Sequence, residues 1–200
     1  CLTGEVEPGD SMEDLLQKLY TAHSDTLAQS MRLLAPGAVK QAVDIFCAAR
    51  TVRCMGQGAS MIMAQEAAHL FSTVSTKFTA VDDSHRQALT TALLDREDTI
   101  LFFSYSGSTK DLLDTMQIAR EKGCRVVLVT HFPKSPGATH AHVVLQCAAN
   151  EGPLQLGSVA AKIAQLYIVD ALYQEFCRRD PEATERNREL VARALAQKHI

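Results

Sequence analysis

The sequence predicts an α/β protein in which a doubly wound, five-stranded parallel sheet is flanked by helices on both faces. Two observations carry this. Short apolar runs at Thr51 to Met55, Phe78 to Val81, Thr99 to Phe103, Val126 to Val129 and Val143 to Leu145 are separated by helix-like or loop segments, the rhythm of βαβ units. The third and fourth runs are apolar without alternation, as parallel strands are when helices cover both faces.

Each element has its own signal. Residues 1–10, with Gly4, Pro8 and Gly9, read as a linker, and residues 11–200 as a single domain. Ser11 to Asp14 forms a capping box, and Met12, Leu15, Leu16, Leu19, Leu27, Met31 and Leu34 recur at helical spacing, predicting an amphipathic helix to about Leu34. Pro36-Gly37 breaks it, and a second helix follows from Ala38 to about Ala49. The segment from Ser158 to Cys177 is apolar nearly all round, interrupted at Lys162, Gln165, Asp170, Gln174 and Glu175, and is expected to be buried against the sheet or a partner chain. Beyond Asp180-Pro181 a charged helix, Glu182 to about Gln197, closes the chain.

Composition limits the functions available. Two hundred residues, 46% apolar and 22% charged, suit one compact domain, and a net charge of -3 argues against a surface built to neutralise DNA. Six scattered cysteines without a C-x-x-C pair fit reduced thiols and a cytoplasmic setting. No stretch reaches the roughly 18 apolar residues of a membrane span, and no signal segment opens the chain. It begins at Cys1, so a longer protein with further sequence on the amino side is expected.

Two motifs carry the chemistry. In Cys54-Met-Gly56-Gln-Gly58-Ala-Ser60 a strand runs into a glycine loop and then a helix, the geometry that presents backbone amides and a positive helix end to an anion. Alone it also suits a plain tight turn. Met61 stands where a dinucleotide loop needs its third glycine, and no Gly-Lys-Ser/Thr follows, so neither NAD nor P-loop chemistry is indicated. The second motif, Ser104-Tyr105-Ser106-Gly107-Ser108-Thr109-Lys110, again joins strand to helix and supplies more hydroxyls than a helix cap requires. A phosphate has three acceptor oxygens, which such hydroxyls and amides satisfy. A third loop, Thr130 to Pro136, is expected to converge on the same point, although Ser135-Pro136 alone also reads as a turn.

These residues resemble the sugar isomerase (SIS) domain, whose hallmarks are similar to Gly56-x-Gly58-x-Ser60 followed by Ser104-x-Ser106-Gly107-x-Thr109. The resemblance covers about residues 40–178. Asp83-Ser-His85, the Ser-Tyr-Ser-Gly loop, Ile163 to Leu166 and Asp170 to Tyr173 look most like the effector domain of RpiR-family transcriptional regulators. It implies a flavodoxin-like three-layer sandwich and a homodimer that binds a sugar phosphate without cofactor or metal and meets DNA only through a preceding helix-turn-helix domain. Carried over by position, it implies a phosphate on Ser60, Ser104, Ser106 and Thr109, with Tyr105 and Gly107 contributing through their backbone.

The alternative functions are a phosphosugar isomerase and an amino-sugar phosphate lyase or etherase. Isomerisation needs a base and a ring-opening group. His85 falls where isomerase branches tend to place a histidine, and it reads equally as a satisfied structural histidine or as one that meets a sugar hydroxyl in a neighbouring subunit's site. The branch that isomerises glucosamine phosphate places its glutamate at or beyond the end of the helix after the first loop, but Leu70 to Lys77 has no carboxylate. Glu66 and Glu151 are the substitutes. His140 and His142 are read as sharing a strand face, thin grounds for a metal without further ligands.

Overall fold

The computed structural model describes residues 5–148 and 158–196. In chain order the elements are α1 (Met12–Leu33), α2 (Pro36–Ala48), β1 (Thr51–Gly56), α3 (Ala59–Ser72), β2 (Phe78–Ala80), α4 (Ser84–Leu93) and β3 (Asp98–Phe103). There follow α5 (Lys110–Lys122), β4 (Arg125–Thr130), α6 (Pro136–His140), β5 (Val143–Gln146), α7 (Val159–Arg179) and α8 (Pro181–Ala196). All strand pairs are parallel, in the order β2-β1-β3-β4-β5. The doubly wound five-stranded sheet expected from the sequence is therefore present.

Local chemistry sets the boundaries. Ser11 caps α1 by accepting from the Asp14 amide, and its hydroxyl donates back to the Asp14 carboxylate at 2.7 Å. Helix α2 starts two residues earlier than expected because Pro36 takes the first helical position, where its missing N–H costs nothing. Gly123 ends α5 in the left-handed conformation, at φ 70°.

Every residue of the central strand β3 is buried. On one face Leu101 and Phe103 join a core built with α2, α3 and α7, where Phe71 stacks on Phe78 at 4.0 Å and meets Phe46 and Tyr173 edge-on. On the other, Ile100 and Phe102 pack with Met55, Leu112 and Met116 beneath α4 and α5. Each such side chain contributes about 1.5–3 kcal/mol by leaving water. Helix α7 is spent largely inside the domain, against α1, α2 and α3. Helix α1 meets α7 through Thr26 and Ser30, whose hydroxyls donate to carbonyls one turn back, and leaves Met12, Leu16, Tyr20 and Met31 exposed. Among the described residues no helix is long and apolar enough to cross a membrane.

A charged clamp ties β1 to β3 at the edge opposite the glycine loops. Arg50 reaches Asp95, Glu97 and Asp98, and the buried Asp98 also accepts from Thr51 at 2.8 Å. Burial disfavours the ionised Asp98, but bonds from Arg50, Thr51 and the Asp95 amide outweigh it and hold the carboxyl below its ordinary value. A depressed folded pKa stabilises the fold above the unfolded value, 3.8, and that part is lost as pH falls through the folded value. Asp98→Asn is expected to lower the melting temperature at pH 7, with the gap to the parent closing below pH 3.8; melting curves at pH 7, 5 and 3 check this.

Candidate functional site

The sheet order reverses between β1 and β3, because β2 lies outside β1 while β4 and β5 extend beyond β3. Ligands of open α/β sheets bind at such a switch point, outside the carboxyl ends of the strands. Gly56 stands level with Phe103 in the register, so the loops leaving the two strands lie side by side. Between them and α7 is a cavity of about 320 Å³ lined by hydroxyl, amide and apolar groups.

The first loop has that shape because of Gly56. A Cβ there would stand 2.8 Å from the Ser60 carbonyl carbon and oxygen, so the strand-to-helix turn admits only glycine. Gly58 follows at φ 53° as the N-cap of α3, without a side-chain cap. This sets Ser60 on the first turn of α3, facing the cavity.

The second loop is wound on Ser104, whose Oγ accepts from the Gly107 amide at 3.2 Å while the Gly107 amide also donates to the Ser104 carbonyl. As an acceptor towards the loop, the Ser104 hydroxyl keeps its proton to give. Ser106 Oγ likewise accepts from the Ser108 amide. Thr109 is the N-cap of α5, yet its side chain makes no cap bond. Elsewhere Ser11, Asp83, Ser135 and Ser158 each close their helix by accepting from its first-turn amide. Helices α3 and α5 begin at the cavity without a side-chain cap bond, an arrangement that leaves their positive ends to receive an anion.

The third loop does not line the cavity; it braces the second. Thr130 Oγ1 and the His131 amide donate to the Tyr105 carbonyl, the Gly137 amide donates to the Gly107 carbonyl, and the His131 ring stacks on Tyr105 at 5.1 Å. Gly107 has φ 62°, and a Cβ on it would collide with Ser135 Oγ.

Of the residues singled out in the sequence, Ser60, Ser104, Tyr105, Ser106 and Thr109 line the cavity. Gly56, Gly58 and Gly107 shape its loops, and the Gly107 amide is engaged by Ser104. His85 lies exposed on the first turn of α4, outside the cavity lining, and half-buried Glu66 on α3 is outside it too. Glu151 falls outside the described residues.

His140 and His142 do not share a strand face. His140 ends α6, a short helix started by Ser135 and Pro136. His142 Nδ1 accepts from the Val126 amide at 3.0 Å, with burial, then Arg125, holding the imidazole below its ordinary value. Sequence reading missed Gln57, Lys162 and Gln165, which also line the cavity. The signal was present for two of them, as polar interruptions of an apolar helix.

Gly107→Ala forces both a left-handed non-glycine and a clash with Ser135. It is expected to destabilise the fold by about 1–3 kcal/mol and to weaken anion binding; denaturant unfolding and phosphate titration measure the two effects.

The SIS domain model matches residues 45–174. An uncharacterised HTH-type transcriptional regulator of Haemophilus influenzae is 26% identical over 199 residues, all of this chain and 69% of that protein. The HTH-type transcriptional regulator RpiR of Escherichia coli K12 is 25% identical over 172 residues, 86% of this chain and 58% of RpiR. Against several curated relatives the chain thus spans only about six-tenths of their length. Among solved structures, the NanR protein of Vibrio vulnificus complexed with ManNAc-6P superposes with a TM-score of 0.87 at 25% identity, over 95% of this chain and 70% of NanR. The glycine and hydroxyl loops at the switch point, and a family match over most of the chain, make this protein a member of the SIS domain family.

Proposed function

We propose that this chain is the phosphosugar-sensing domain of an RpiR-type transcriptional regulator. The observation that carries the reading is the cavity between the ends of β1 and β3. Hydroxyls of Ser60, Ser104, Ser106 and Thr109 surround it, and α3 and α5 open onto it without side-chain caps. A phosphate satisfies these donors together, and the remaining lining from α7, with Lys162 and Gln165, faces the sugar. The NanR likeness supports a phosphorylated sugar, and the HTH-type relatives support a regulator whose DNA contacts lie in a helix-turn-helix domain outside this chain.

Sensing requires only that ligand bind two arrangements of the protein with different affinity. The reading includes a cytoplasmic homodimer. The exposed Met12, Leu16, Tyr20 and Met31 of α1 support self-association, and the buried Cys54, Cys124 and Cys177, outside any disulfide, support a reducing compartment. The HTH-type relatives favour binding over isomerisation or lyase chemistry.

Thermal unfolding against a panel of sugar phosphates and their unphosphorylated parents tests this. A phosphorylated sugar at a hundred times its dissociation constant is expected to add about 2.7 kcal/mol, with its parent inert and its NMR spectrum unchanged over hours. Conversion of the sugar would replace sensing by enzymatic turnover, and a panel without effect would sink the phosphate site. Ser106→Phe is expected to abolish the response while the protein stays folded by circular dichroism.

A further inference from the structure

Hydrogen-bond accounting around one buried amide reaches into the cavity. Gln87 on α4 is fully buried, with Nε2 3.0 Å from the Gly56 carbonyl oxygen and 2.8 Å from that of Val81. A primary amide has two N–H donors, and these two carbonyls take both. The reversed amide would set its oxygen against two other acceptors, so the orientation of Gln87 is fixed. Only its Oε1 is left for Gln57, which must therefore donate, and Gln57 Nε2 lies 2.8 Å away. Gln57 lines the cavity, and this bond holds its amide, leaving the carbonyl oxygen and the second N–H of Nε2.

We infer that Gln57 is a specificity-determining residue whose carbonyl oxygen accepts a hydrogen bond from the sugar, with Gln87 as the positioning residue that holds its amide. The inference rests on the phosphosugar reading and deepens it. The ligand class it selects is a sugar phosphate with a hydroxyl or acylamino N–H within reach of Gln57.

Gln57 Oε1 draws a donor-bearing carbon of the sugar, and the serine and threonine donors draw the phosphate. Gln165 lines the same cavity, 3% exposed, and has no comparable orienting bond among the described residues. Its amide turns to meet either polarity, whereas that of Gln57 is held.

The test uses the whole chain and two kinds of probe. One is inorganic phosphate. The other is the tightest sugar phosphate of the panel, taken from hexose 6-phosphates and N-acetylhexosamine 6-phosphates, together with its deoxyfluoro or deamidated analogues, which lose one donor at a time. The parent protein is expected to bind one analogue about three- to tenfold more weakly than the intact sugar, as the loss of one neutral hydrogen bond implies.

In Gln57→Met, and in the shorter Gln57→Asn that keeps a polar side chain, that ratio is expected to fall to about one, with phosphate affinity held within about twofold. Gln87→Met is expected to reduce the ratio as well, and adding it to Gln57→Met to change the ratio no further. Variants that discriminate like the parent, or that lose inorganic phosphate in parallel with the sugar, overturn the inference alone. A parent protein that binds neither inorganic phosphate nor any sugar phosphate overturns the site reading, and the inference with it.

Discussion

The turn from β1 into α3 passes so close to itself that no side chain fits at position 56, and that crowding organises the ligand edge of the sheet. With the chain turned this tightly, the start of α3 stands directly above the strand end, and Ser60 and Thr109, at the starts of α3 and α5, line one cavity of about 320 Å³. Gln87 bonds the Gly56 carbonyl and the Gln57 side chain together, so one buried side chain holds both the backbone of the loop and its amide side chain.

The second loop is held differently. Its crowded glycine, Gly107, is pressed by a neighbouring segment, and the loop is clasped from behind by Thr130, His131, Ser135 and Gly137. The donors that meet an anion are then fixed by bonds made on the far side of the loop, and the hydroxyls of Ser104 and Ser106 accept from loop amides while keeping a proton to donate. A site prepared in this way loses little freedom when its ligand arrives.

What was legible in the sequence followed chain proximity. Gly56, Gly58 and Ser60 sit within one strand-to-helix turn, and Ser104 to Thr109 within another, so their meaning was readable from a few residues. Gln57 was not, because its role is set by Gln87, thirty residues on, and by carbonyls of two other segments. Lys162 and Gln165 reach the cavity only because α7 lies across the strand ends. The two-residue spacing of His140 and His142 mimicked a strand, but the Ser135-Pro136 start turned the first of them into a helix end. The apolar spacing of α1 predicted an amphipathic helix; the structure buries Thr26 and Ser30, their hydroxyls satisfied by their own helix, and leaves Met12, Leu16 and Met31 exposed.

The division of the cavity between backbone loops and helix side chains separates two properties that evolution, or an engineer, would want to vary independently. In the proposed reading, grip on the phosphate belongs to turns that Gly56 and Gly107 shape, and the identity of the sugar to side chains such as those at 57, 162 and 165. A receptor arranged in this way keeps its anchor in the backbone and its selectivity in side chains that can be exchanged one at a time.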